Sequence, residues 1–200
     1  NSLPNLKFLP ATRGWAGSPD FLAKIVELIL KEKPLFVLEA GSGVSSVIIG
    51  LALKLNNYGE SVSLEHDITY ANITSENMGI NELETKSVVK HSPLIEYNNL
   101  EQKWKWYDIN ELKFSNKIDM LIVDGPPRIT QELARFPAIP ILHEYFSDRF
   151  TILLDDSKRD DEAIIIQKWI VFLETNKYKV KIENFINYEK GMTILQVYRC

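Results

Sequence analysis

Acidic residues recur where apolar runs stop. Glu39 follows the run 35–38, Glu65 follows 61–64, Asp124 follows 118–123, and Asp155 with Asp156 follows 150–154. His91 and Ser92 stand in the same relation to residues 86–90. Carboxylates gathered at such ends bind sugar hydroxyls, attract a cationic ligand group or hold a hard, oxygen-loving cation. Packing gives no reason for polar residues to recur at successive run ends, so the set marks a site.

The first of these ends is the most informative. Residues 35–50 read LFVLEAGSGVSSVIIG: an apolar run, the carboxylate Glu39, a small-residue turn through Gly41, Ser42 and Gly43, then helical apolar spacing. This is a buried parallel strand, a tight turn and a helix N-terminus, the place where an α/β sheet holds a nucleotide-like cofactor. The Gly-x-Gly-x-x-small pattern suits a nicotinamide dinucleotide as well as adenosylmethionine, and Glu65 falls where a ribose-binding acid belongs. Glu39 separates the two. A carboxylate aimed at the turn repels a pyrophosphate but favours a ligand bearing an ammonium and a sulfonium.

The elements that position these residues follow from periodicity. Residues 1–17 have no sustained period; their Trp15 reads as a packing anchor or a lid over a ligand. Ser18-Pro19-Asp20 offers an N-cap hydroxyl and a proline at the first helical position, and an apolar stripe runs on to Lys33-Pro34. Helices are expected over about 45–56, 68–79, 130–146 (broken by Pro137 and Pro140) and 160–175, the last with Ile164, Ile165, Trp169 and Phe172 facing inward. Strands are expected over 35–38, 61–64, 86–90, 118–123 and 150–154, with a closing hairpin over 178–185 and 192–198. The segment 94–116, with Trp104, Trp106 and Tyr107 among charges, is expected to be helical or irregular, its aromatics packed locally. Strand–helix alternation predicts an α/β fold: a Rossmann-like, seven-stranded, mostly parallel sheet with helices on both faces and a C-terminal antiparallel hairpin. One domain is expected over 1–200, with a lead-in and helix at 1–34 and the core at 35–198.

Composition narrows the partners. The chain has 200 residues, 45% hydrophobic and 25% charged, with a net charge of −4, and a pI near 5.5. An acidic chain without Lys/Arg runs argues against a nucleic-acid partner and an anionic membrane. The single cysteine, Cys200, leaves no intrachain disulfide and no cysteine metal cluster. No apolar run reaches the ~20 residues of a membrane span, and the first residues lack a signal-peptide pattern. A cytoplasmic location is expected; oligomeric state is not readable.

On VLEAGSG, VSLEHD, IDMLIVDGPP and the terminal hairpin, the chain from about residue 35 to 198 resembles the class I S-adenosylmethionine-dependent methyltransferases. VDGPP followed by RFPAIP and ILLDDSKRDDE is similar to the small-molecule O-methyltransferase-like group called methyltransferase family 24 and, more distantly, to the catechol-type enzymes. The resemblance implies that Glu39, Gly41, Ser42 and Gly43 surround the methionine part of the cofactor. Glu65 would bind the ribose, and His66 the adenine face, with His91 and Ser92 at the adenine edge and Asp124 closing the site. It implies Mg²⁺ held by Asp124 and Asp156, with Asp155 adding a carboxylate, and methyl transfer to a hydroxyl of a small-molecule or saccharide-like acceptor. Asp124, Asp156 and Arg128 are then the catalytic candidates. Two departures stand out: Ser157 replaces the expected Asn, and Pro127 and Arg128 occupy the neighbourhood of the expected catalytic Lys. Arg128, Lys158 and Arg159 read as solvated charges or as contacts for an anionic substrate group, and His143 as a packing histidine. The competing functions are an NAD(P)-dependent oxidoreductase and a non-catalytic adenosylmethionine-binding module.

Overall fold

The computed structural model describes residues 7–9, 17–98 and 102–200, so the reading of Trp15 lies outside the described residues. In chain order the elements are α1 (Pro19–Glu32), β1 (Phe36–Ala40), α2 (Val44–Asn56), β2 (Glu60–Glu65), α3 (Ile68–Ile80), β3 (Ser87–His91), β4 (Leu94–Tyr97), β5 (Trp104–Tyr107), β6 (Ile118–Val123), α4 (Ala138–Leu142), β7 (Phe146–Asp155), α5 (Asp160–Thr175), β8 (Tyr178–Phe185) and β9 (Met192–Arg199). Seven strands form one sheet in the order β3-β2-β1-β6-β7-β9-β8. Its first five strands are parallel, and β9 runs antiparallel to both of its neighbours. The Rossmann-like sheet with a C-terminal hairpin expected from the sequence is the one observed.

Both faces of the sheet are covered, which is why its central strands read as continuous apolar runs. Val37, Met120, Ile122, Leu153 and Ile194 pack with Phe21, Ile25 and Ile29 of α1 and with Ile48, Ile49 and Ala52 of α2. The alternate residues Leu38, Leu121, Val123, Ile152, Leu154 and Leu195 pack with α4 and with Ile165, Ile166, Trp169 and Leu173 of α5. Glu39, Asp124 and Asp155 fall on the parity of the first set, one carboxylate on each of three adjacent strand ends. The register pairs Val123 with Leu154, so Asp124 and Asp155 follow side by side.

Four local expectations are corrected. Ser18 does not cap α1 through a backbone N–H; its hydroxyl goes to Asp20, whose Oδ1 accepts the Phe21 N–H at 2.9 Å. Ile164 is 48% exposed, because the buried arc of α5 runs through Glu162, Ile165, Ile166, Trp169 and Leu173 and leaves it outside. The expected helix over 130–146 is a 3₁₀ turn at Arg128–Thr130, a run of turns, the five-residue α4 and a second 3₁₀ turn at His143–Tyr145. Pro140 has no N–H to give the Phe136 carbonyl four residues back, and Trp169 Nε1 donates to that carbonyl instead at 2.7 Å. Residues 94–116 contain not a helix but a separate antiparallel ribbon, β4–β5. Only part of its aromatic set packs locally: Trp106 lies 5.0 Å from Tyr107, whereas Trp104 packs on Phe136, outside the segment, at 4.8 Å.

Candidate functional site

At the carboxyl end of β1 the chain turns through Gly41 and Gly43, at φ +114° and +145°. A side chain at either position is strained. At Gly43 a Cβ would meet nothing within 4 Å, so the turn leaves open room there. Glu39 lies beneath it, fully buried. Ser46 Oγ donates to Glu39 Oε2 at 2.6 Å and accepts the Gly43 N–H at 3.2 Å, which ties strand, turn and helix together. Glu39 Oε1 has no hydrogen-bond partner among the described residues. Burial raises the Glu39 pKa, against the opposing pull of the hydroxyls of Ser45, Ser46 and Ser63.

Glu65, at the end of β2, shares this turn. Its Oε2 accepts from Ser42 Oγ at 2.8 Å and its Oε1 from the Asp67 N–H at 3.0 Å. Asp67 in turn caps α3, accepting the Thr69 N–H at 2.7 Å. His66 Nδ1 lies 2.9 Å from Glu65 Oε1, and its ring meets the Tyr107 ring edge-on at 6.3 Å. His91 is exposed at the end of β3. Ser92 is buried, and its hydroxyl donates to the Asp108 carbonyl at 2.6 Å, closing the base of the β4–β5 excursion.

The second cluster forms at the ends of β6 and β7. Asp124, Asp155 and Asp156 each bring a carboxylate oxygen within 4.8 Å of the others. Asp156 has φ +59°, in the left-handed region, so the chain turns sharply after Asp155. Sequence reading missed the group at the centre, Arg135, which is 4% exposed. One terminal guanidinium nitrogen donates to Asp156 Oδ2 at 2.8 Å, to Asp124 Oδ1 at 3.1 Å and to the Asp124 carbonyl at 2.9 Å; the other donates to the Asp155 carbonyl at 3.0 Å. Arg159 reaches the same Asp156 oxygen at 2.8 Å. Glu162, at the start of α5, lies 3.8 Å from Arg135 and 3.7 Å from Arg159. Both side-chain oxygens of Asp155 lack a hydrogen-bond partner among the described residues.

The electrostatics follow from burial and crowding. Burial pushes Asp124 up to about 6, and Asp156 adds to the rise while Arg135 opposes it. Burial pushes Asp155 up to about 7, helped by Asp124 and Asp156. Burial works against the charge of Arg135, but Asp124, Asp156 and Glu162 outweigh it and raise its pKa. The signal available in the sequence was a lone cation inside an apolar, proline-rich stretch, ARFPAIP. Such a charge is buried only if partners wait for it.

Tyr107 joins the two clusters. It is fully buried, and its hydroxyl packs so closely on Gly125 that a Cβ there would collide with it. The Cα of Gly41 also lies 3.2 Å from that would-be Cβ, so the β1 turn and the β6 end touch through glycine backbone. Arg128 stands apart: its side chain is 63% exposed and its Nε pairs with Asp161 at 2.9 Å. Lys158 Nζ donates to the Glu189 carbonyl at 3.2 Å, and His143 packs edge-on against Phe172 at 5.5 Å. A cavity of about 880 Å³ lies elsewhere, lined by Trp104, Phe136, Lys168 and Phe172 among others, and none of the sequence-predicted site residues borders it.

No protein-family model matches the sequence, and no curated protein matches it. Solved structures do match in shape. An O-methyltransferase from Bacillus cereus in complex with SAH superposes with a TM-score of 0.66 at 15% identity, covering 94% of this chain and 84% of that one. The O-methyltransferase TomG from Streptomyces achromogenes, involved in tomaymycin synthesis and in complex with SAM, gives 0.66 at 14% identity, covering 92% and 82%. The SAH-bound methyltransferase PaMTH1 of Podospora anserina gives 0.64 at 14% identity, covering 90% and 79%. The chain has the fold that these methyltransferases share.

Proposed function

We propose that the protein is a methyltransferase that uses S-adenosylmethionine and methylates a hydroxyl of a small-molecule or saccharide-like acceptor. The observation that carries this reading is the open room at Gly43, in a turn tied through Ser46 to the buried carboxylate of Glu39 and through Ser42 to that of Glu65. Those residues fit the cofactor: Glu65 suits ribose hydroxyls, and Glu39 favours a ligand bearing an ammonium and a sulfonium. Bound there, S-adenosylmethionine supplies an electrophilic methyl group for in-line displacement. The chain's own contribution is position: the Gly41–Gly125 contact sets the cofactor turn directly against Asp124. Among the three clustered aspartates, Asp124 keeps the most exposure, 17% of its side chain against 6% for Asp156. Asp124 therefore receives the acceptor's proton, while Asp156 orients it through Arg135. The same fold in SAM- and SAH-bound enzymes supports this reading over the oxidoreductase and binding-module alternatives.

Calorimetry tests the cofactor. SAH is expected to bind and NAD to give no heat, with Glu65→Gln weakening SAH at least about tenfold. Heat with NAD but with neither adenosyl ligand would overturn the proposal. Radiolabelled methyl transfer to a panel of phenols and saccharides then tests the chemistry; full turnover in Asp124→Ala would remove Asp124 from it.

A further inference from the structure

The carboxylates of Asp124, Asp155 and Asp156 converge as a divalent-ion site would require, yet a cation is already built in. Arg135 takes Asp124 Oδ1 and Asp156 Oδ2 with a single nitrogen, at 3.1 and 2.8 Å. Arg159 takes the same Asp156 oxygen from another side at 2.8 Å. Mg²⁺ binds oxygen at about 2.0–2.1 Å in octahedral geometry and keeps several of its waters. An ion on these oxygens would have to displace two guanidinium groups or press against both. Asp155 is 0% and Asp156 4% exposed, so water reaches the cluster only past Asp124. Asp155, whose two side-chain oxygens are unpartnered among the described residues, is the one feature that invites an ion. Beside it remain only the second oxygens of Asp124 and Asp156, each on a carboxylate already paired with a guanidinium, so an ion there would sit against two fixed positive charges. Ser157, standing where the resemblance implies an Asn, removes a further ligand. The donor set does not fit a resident Mg²⁺.

We propose that Arg135 is the fixed cation of this site, holding in place of a metal ion the carboxylates that an ion would gather. Its guanidinium draws Asp124 and Asp156 together and fastens the carbonyls of Asp124 and Asp155, so that two adjacent strand ends are set by one side chain. Arg is suited to this task because its planar fork reaches several oxygens at once and stays charged when buried. Insofar as the cluster serves methyl transfer, this role rests on the function proposed above, so metal and SAH titrations are read separately.

The test is Mn²⁺ binding, followed by electron paramagnetic resonance on the full chain with and without SAH. The wild-type chain is expected to show no saturable binding up to about 1 mM and no change in Tm with Mn²⁺ or EDTA. Arg135→Ala, with its carboxylates released, is expected to gain a site at least about tenfold tighter, and Mn²⁺ is expected to raise its Tm. Stoichiometric Mn²⁺ binding by the wild-type chain, abolished in Asp155→Asn, would overturn the proposal. So would a folded Arg135→Ala chain that binds Mn²⁺ no better than wild type. The wild-type measurement decides even if that variant does not fold. Failure of SAH to bind would instead count against the methyltransferase reading and leave the metal result intact.

Discussion

On the β1–β2 side of the strand-end row, neutral donors meet the buried carboxylates: Ser46 Oγ at Glu39, and Ser42 Oγ with the Asp67 N–H at Glu65. On the β6–β7 side, guanidinium groups hold Asp124 and Asp156, and the Asp155 carboxylate has no hydrogen-bond partner among the described residues. A hydroxyl or N–H bonded to a carboxylate acts locally, with a net worth of about 1.5–3 kcal/mol. A buried ion-pair cluster is collective, because removing one member leaves the others uncompensated. One half of the row is thus a cradle assembled from separable parts, and the other is a coupled unit with Arg135 at its centre and Arg159 beside it.

That contrast is open to attack at four points. Arg135→Ala should lower stability by about 3–5 kcal/mol, and Ser46→Ala by about 1–3 kcal/mol, both read from urea unfolding at neutral pH. Equal losses would erase the distinction between the halves. Gly125→Ala, at the seam where Tyr107 leaves no room for a Cβ, should cost about 1–3 kcal/mol. No loss there would mean that the halves are not in rigid contact.

The third point is pH. Asp124 near 6 and Asp155 near 7 both lie above the ordinary aspartate value of 3.8. The folded chain therefore holds more protons than the unfolded one between about pH 4 and pH 7, and stability falls as pH rises through that window. Each group contributes at most about 1.4 kcal/mol per pH unit, and Glu39, also raised, acts with the same sign. Asp155→Asn should flatten the decline and leave the chain more stable than wild type at about pH 8; an unchanged slope would show that the charged cluster is not what titrates. The smallest effect belongs to Arg128→Ala. Its ion pair with Asp161 is largely exposed on the arginine side, so stability should move by less than about 0.5 kcal/mol. A larger drop would tie that surface to the cluster beneath it.

The central strands β1, β2, β6 and β7 were legible because they are largely buried and run into acids, a pattern that survives in the linear sequence. Residues 118–123 and 160–175 were read nearly as they stand. The β4–β5 ribbon was not, because four-residue strands give too short a period and their neighbours are charged. The segment 130–146 misled because its apolar residues suit a helix while Pro137 and Pro140 cannot donate to one. At the site, the convergence of Asp124, Asp155 and Asp156 could be inferred from strand ends. For Arg135 the sequence signalled at most a buried cation and not its partners, which lie 11 and 21 residues away along the chain, because no periodicity records a salt bridge. Glu39 changed meaning as well: in the sequence it faces the cofactor turn, and in the structure it also ties that turn to α2 through Ser46.

The β4–β5 ribbon leaves and rejoins the fold almost at one point. The Asp108 N–H donates to the Pro93 carbonyl at 2.9 Å, and Ser92 Oγ to the Asp108 carbonyl at 2.6 Å. A loop pinched shut at its neck transmits little of its own length to the elements on either side. The ribbon is fastened a second time further out, where the Gln131 side chain exchanges hydrogen bonds of 3.0 and 2.6 Å with the Lys105 backbone and Trp104 packs on Phe136, while its root delivers Tyr107 to the seam between the clusters. For an engineer, that makes the ribbon a clip with two fastenings: its exposed Glu96 and Lys103 are open to change, whereas Trp104 and Tyr107 are buried and are not.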